Sequence, residues 1–180
     1  MRQGDIRLQN SSQEASTPTQ MTPDEVVNLA TSLPDPRPPG FGRTFIARTP
    51  EGVPAGSLLE RTRRAWEVIA SWGRWSDEEL GEWPGSEECL VQLPGWLHEA
   101  LRSEPAFEVE SWLDGLHGRE WAGWGGTALD HLVKIDLSAD AMPISTWTIR
   151  FVIEKAGGTV VYRGDWIPSA EVFDRTPGST

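Results

Sequence analysis

From Leu129 to Trp166 apolar and polar residues alternate with a period close to two, and turn-forming residues separate the segments. In Leu129–Leu137, an extended chain places His131, Val133, Ile135 and Leu137 on one face and Asp130, Leu132, Lys134 and Asp136 on the other, as a half-buried strand would. Thr146–Glu154 repeats the pattern, with Trp147, Ile149, Phe151 and Ile153 on one face, and its β-branched and aromatic residues favour a strand. Gly157-Gly158 then supplies a tight connection, and Thr159–Arg163 resumes the extended pattern, so a hairpin is expected. Three such strands in succession predict an antiparallel meander with one covered face.

Upstream, the period lengthens to that of helices. Thr22-Pro23-Asp24-Glu25 marks a helix start with Thr22 as N-cap, followed by the stripe Val26, Leu29, Ala30 and Leu33 and stopped by Pro34. Residues 34–42 read as a stiff proline-rich spacer, and Arg43–Arg48 as a short edge strand. Ser57-Leu58-Leu59-Glu60 has the capping-box pattern ahead of Leu58, Thr62, Ala65, Trp66, Ile69 and Trp72 at helical spacing. Its outer face carries Arg61, Arg63 and Arg64, with Glu60 and Glu67 spaced to pair with them, so a solvated face is preferred to a phosphate clamp. Ser76-Asp77-Glu78-Glu79 opens a short acidic helix that ends at Pro84. Glu88–Leu93 reads as a strand, Trp96–Leu101 as a short helix, and Pro105–His117 as a helix ending at Gly118. Trp121–Gly126 reads as a glycine-aromatic loop leading into the meander.

The order of helices first and strands last predicts an α+β fold, with helices of the N-terminal two thirds packed on a C-terminal antiparallel meander of three to five strands. Residues 1–20 are polar and aperiodic and read as a disordered tail, 21–173 as a single domain, and 174–180 as a frayed end.

Charge changes this picture because it is concentrated. The chain carries a formal −11, and residues 74–120 hold Arg74, Arg102 and Arg119 against twelve carboxylates, a net −9. That field disfavours nucleic acid, whose binding rests on neutralising phosphates, and attracts a basic protein. Eight of the ten tryptophans lie between 66 and 124, in and beside the same segment. Most are expected in the core, but Trp75 and Trp83 are flanked by carboxylates and suit a protein interface.

Candidate chemistry is sparse by comparison. His98, His117 and His131 lack metal-ligand spacing, no cysteine pair exists, and no Gly-x-Ser-x-Gly elbow is present. Cys89 lies beside Leu90 and Val91 and reads as a buried thiol, not a nucleophile. The glycine pairs lack the strand-to-helix context of a phosphate cradle, so no cofactor is expected. No run approaches the length of a membrane-spanning helix. The first residues show no basic-then-apolar signal, and the lone cysteine fits a reducing cytoplasm. Abundant Gly, Pro, Trp, Arg and Glu with few Lys, Asn or Tyr match a high-GC bacterial coding bias.

Three functional readings follow. The first is a non-catalytic acidic module that binds a basic protein, with an immunity-type or antitoxin-like inhibitor of a bacterial toxin as the concrete instance. Its expected surface is Trp75, Asp77, Glu78, Glu79, Glu82, Trp83, Glu87 and Glu88, acting by occlusion. The second is a small enzyme or ligand-binding domain with a pocket between sheet and helices, lined by Trp147, Tyr162, His131 and Arg150. A subunit of a larger assembly, in which surface tryptophans are permanently covered, is a third.

Overall fold

The computed structural model of the chain describes residues 22–31, 40–73, 85–104, 108–139 and 143–166. Its elements are α1 (Pro23–Thr31), β1 (Phe41–Arg48), α2 (Ala55–Ser71), α3 (Ser86–Gln92), α4 (Gly95–Arg102), α5 (Val109–His117), β2 (Trp121–Leu129), β3 (Leu132–Ala139), α6 (Trp147–Lys155) and β4 (Thr159–Trp166). The fold is α+β, with an antiparallel sheet in the order β2-β3-β1-β4. The tails, residues 34–39 of the proline-rich spacer expected at 34–42 and the acidic helix expected at 76–83 lie outside the described residues, while Phe41 and Gly42 of that spacer begin β1.

The expected C-terminal meander is corrected in three places. β1 is not an edge strand but sits between β3 and β4, paired along its whole length with β3. Trp121–Gly126 is not a loop but most of β2, which pairs with β3 through a two-residue turn. That turn places Asp130 at φ 51, a left-handed conformation that aspartate tolerates better than most residues.

Thr146–Glu154 is the third correction, because it folds as helix α6. Its apolar residues are dense enough to satisfy either period, and the helical set Thr148, Ile149, Val152 and Ile153 is the one that is buried. Gly157 (φ 105) and Gly158 do not turn a hairpin but end that helix. The Gly157 N–H donates to the Glu154 carbonyl (3.1 Å) and the Gly158 N–H to the Ile153 carbonyl (3.0 Å), the paired bonds of a Schellman cap. Glu88–Leu93 likewise lies in α3 and its exit instead of forming a strand.

The start of α1 behaves as expected, and that of α2 does not. The Thr22 hydroxyl accepts the Glu25 N–H (3.3 Å) while the Glu25 carboxylate accepts the Thr22 N–H (2.7 Å), closing the capping box of α1. α2 starts two residues before Ser57, at Ala55 behind Pro54, so Ser57 is inside its first turn and not its cap. α2 buries Leu58, Thr62, Ala65 and Ile69. α4 occupies the segment predicted for it, and α5 ends at His117 as predicted but begins at Val109 and not at Pro105.

The sheet is covered on both sides. On one, Phe45 and Ala47 of β1 and Val133, Ile135 and Leu137 of β3 pack with α2 and with the helices α3 to α6. On the other, Ile46 and Leu132 meet Val26 and Ala30 of α1, with Tyr162 alongside. β3 is therefore buried on both faces, and the face expected to meet solvent does not: Lys134 and Asp136 are each 4% exposed.

Candidate functional site

The described part of the acidic segment supplies α3, α4 and α5. Glu87 and Glu88 occupy the first turn of α3, where the helix dipole favours carboxylates, and both are exposed. Glu99 on α4, Glu108, Glu110 and Asp114 on and before α5, and Glu120 ahead of β2 are exposed as well. The two described arginines of the segment divide in role. Arg102 is exposed, whereas Arg119 is 6% exposed, lies over the Trp66 ring at 5.1 Å and donates to the Leu116 carbonyl at 2.6 Å. Basic groups of other elements border the layer as well, Arg61 over the Trp96 ring of α4 and Lys155 paired with Glu104. Of the residues expected to form the protein-binding surface, Glu87 and Glu88 stand here; Trp75, Asp77, Glu78, Glu79, Glu82 and Trp83 lie outside the described residues.

The tryptophans that are described belong mainly to the core. Trp112 and Trp121 are fully buried and Trp72 nearly so. Each indole N–H reaches an acceptor, Trp112 on the Thr148 carbonyl, Trp121 on the Ser145 carbonyl and Trp72 on the Gln92 side chain. Trp66 stacks on Trp121 with ring centroids 4.8 Å apart, and this pair anchors α2 to the sheet.

Beside that anchor a cleft of about 430 Å³ opens between α2 and the β2 side of the sheet. Leu59, Trp66, Ile135, Leu137 and Ile149 give it apolar walls, Gly56, Glu60 and Arg63 stand along α2, and Gly123, Gly125 and Gly126 line it from β2. The glycines explain both the close approach and the space. A Cβ on Gly123 would lie 2.1 Å from Trp66 Nε1, and one on Gly126 would lie 2.5 Å from Leu59 Cδ1. Thr62 also lines the cleft, 3% exposed, and its hydroxyl has no hydrogen-bond partner. The arginine cluster on the outer face of α2 is engaged locally. Arg63 and Arg64 bond Glu60, Arg61 lies 4.4 Å over the Trp96 ring, and the bond from Arg64 foremost holds the Glu60 carboxyl below its ordinary range.

The pocket expected from Trp147, Tyr162, His131 and Arg150 does not assemble. Tyr162 packs on the α1 side of the sheet, while Trp147 (44% exposed) and Arg150, bonded to Glu154, belong to α6 on the other side. His131 sits in the β2–β3 turn. The pocket between sheet and helices exists, but α2 and the glycines of β2 form it. Glycines were legible there only as loop formers, which hid a strand whose missing side chains create a cavity.

Sequence reasoning also missed a buried polar cluster on the α1 side. The Thr44 hydroxyl donates to Asp136 Oδ1 at 2.6 Å, and Lys134 Nζ lies 3.5 Å from Asp136 Oδ2. Burial pushes the Asp136 carboxyl above its usual value, more than Thr44 and Lys134 lower it. Elsewhere, burial raises the Cys89 thiol, with the Glu88 charge adding to it, and lowers His117, where Arg119 acts in the same direction. Among the described residues, no group of three or more His, Cys, Asp or Glu converges as metal ligands would, and no helix is long and apolar enough to cross a membrane.

Comparison with protein-family models, with curated proteins and with solved structures finds no match to this chain.

Proposed function

We propose that this chain is a non-catalytic binding protein whose acidic helical layer occludes the basic surface of a protein partner, as an immunity-type or antitoxin-like inhibitor of a bacterial toxin would. One observation carries the reading: on α3 to α5 and the approach to β2, Glu87, Glu88, Glu99, Glu108, Glu110, Asp114 and Glu120 are exposed while Arg119 is buried. A surface of one sign speeds encounter with a surface of the other and rejects nucleic acid. The test is capture of a basic protein by the native chain, its identification by mass spectrometry, and a salt titration of the purified pair. Release by about 0.5 M salt is expected, where exposed charges are strongly screened. A combined Glu87→Lys, Glu88→Lys, Glu108→Lys and Glu110→Lys variant should lose the partner; full retention of binding overturns the reading.

The cleft beside Trp66 favours a second reading, a ligand-binding domain whose site lies between sheet and helices. Its volume of about 430 Å³ falls in the range of small-molecule sites, and its walls are mainly apolar.

A further inference from the structure

The sheet ends at β2, which is bonded to β3 on one side and, among the described residues, to no strand on the other. Natural edge strands are guarded by charges, prolines or brevity. β4, the opposite edge, carries Arg163 and Asp165. β2 is nine residues long, and neither a charged residue nor a proline occurs in Trp-Ala-Gly-Trp-Gly-Gly-Thr-Ala-Leu. A register shift between Gly123 and Gly125 interrupts its first half, which leaves Gly125–Leu129 as a regular, exposed stretch of strand. Gly125 and Gly126 bring no side chain to hinder the approach of another backbone.

We infer that Gly125–Leu129 is the docking edge for an extended segment of the basic partner, which adds to the sheet as a further strand and places one large apolar side chain in the cleft under α2. This mode rests on the reading of the chain as a binder of a basic protein. Backbone hydrogen bonds along an edge give affinity, and a pocket for alternate side chains gives selectivity. Side chains of an added strand alternate between faces, and those on the α2 face come up beside Gly56 and Leu59, at the cleft. Charge selects the occupant. Along the cleft Arg63 is paired with Glu60 and Glu67, whereas the exposed Glu120 and Asp130 that bracket β2 have no basic residue of the strand between them, and the formal charge is −11, so a segment with lysine or arginine toward its ends is attracted. A second copy of this chain would bring the same carboxylates to the same ends.

The test uses the full chain and a synthetic peptide of nine residues that alternates lysine with valine about a central phenylalanine. Binding is followed by calorimetry and by amide hydrogen exchange. Saturable binding is expected, with protection gained in Gly125–Leu129. The same peptide N-methylated at alternate backbone nitrogens keeps its charge and should bind at least about tenfold more weakly, since several backbone bonds are lost. Gly56→Phe adds a ring at the cleft from a helical position with nothing within 4 Å of the new Cβ. It should weaken the parent peptide by about tenfold, as expected for a desolvated anchor, but not a peptide with alanine at its centre. Equal binding of the N-methylated peptide, or protection confined to α3 to α5, overturns strand addition while leaving the basic-partner reading intact. Sedimentation showing a dimer that protects β2 overturns it in favour of a second copy. If the captured partner is lost on reversing the helical carboxylates yet Gly56→Phe and the peptide have no effect, the docking mode alone fails. If no basic protein binds at all, the reading it rests on fails with it.

Discussion

Removing the Asp136 carboxylate tests the tertiary arrangement at the point where it departs most from a solvent-facing strand. Asp136 and Lys134 are each 4% exposed, 3.5 Å apart, with Thr44 donating to the same carboxylate at 2.6 Å. Asp136→Ala withdraws the negative charge from a buried ammonium and the acceptor from a buried hydroxyl. Breaking a buried pair from one side costs about 3–5 kcal/mol, because the remaining charge keeps its desolvation penalty. Replacing both members with apolar residues, Lys134→Met with Asp136→Leu, should return stability to within about 1 kcal/mol of the parent or above it. Urea unfolding at constant pH measures both. Titration adds a second arm. The folded-state value of Asp136 is raised by burial, so the folded chain holds this proton more tightly than the unfolded chain does. The associated stabilisation is full below the unfolded value of about 3.9 and is lost as pH rises through the raised folded value. The stability of the parent relative to Asp136→Asn should therefore fall with increasing pH across that window and then level off. A cost below about 1 kcal/mol for Asp136→Ala, or a double variant as unstable as the single, would refute the claim of a buried, charge-coupled pair.

Further outcomes follow from the packing around α2 and α3. Gly123→Ala drives a Cβ into Trp66 and should cost about 1–3 kcal/mol with loss of tryptophan near-ultraviolet dichroism, while Gly125→Ala, with nothing within 4 Å, should be neutral or slightly stabilising. Equal effects at the two sites in thermal melts would contradict the pairing of β2 with α2. Thr62→Val removes a buried hydroxyl that has no partner and should stabilise the fold by about 1 kcal/mol, read as a melting temperature raised by roughly 2–4 °C. Cys89 is fully buried with its thiol raised, so a disulfide reagent at pH 8 should modify it slowly in the native chain and rapidly in urea; equal rates would show an accessible thiol.

Local signals were readable where a single residue type answers one local need. Thr22 and Glu25 close the capping box, and Leu58, Thr62, Ala65 and Ile69 repeat at 3.6 and are the residues α2 buries. Gly157-Gly158 was legible as punctuation but not as which punctuation: two glycines serve a hairpin or a helix C-cap, and the choice depends on what precedes them. What precedes them is apolar at five of the seven positions from Trp147 to Ile153, so alternation and helical period were both satisfied. The candidate site was less legible still. Its cleft is defined by side chains that are absent, at Gly123 and Gly126, and by the approach of α2 from more than fifty residues upstream.

By itself, the amino-acid sequence determined the mixed α and β class, the start of α1 and the buried stripe of α2, the burial of Cys89 and the concentration of charge in residues 74–120, because each follows from composition or from contacts within a few residues. Only the tertiary structure decided that β1 lies inside the sheet, that 147–155 coils, that Lys134 and Asp136 are enclosed, and that the glycines of β2 floor a cleft. Those outcomes depend on which distant surface covers a residue, and when both faces of a strand are covered its own alternation no longer says where water lies.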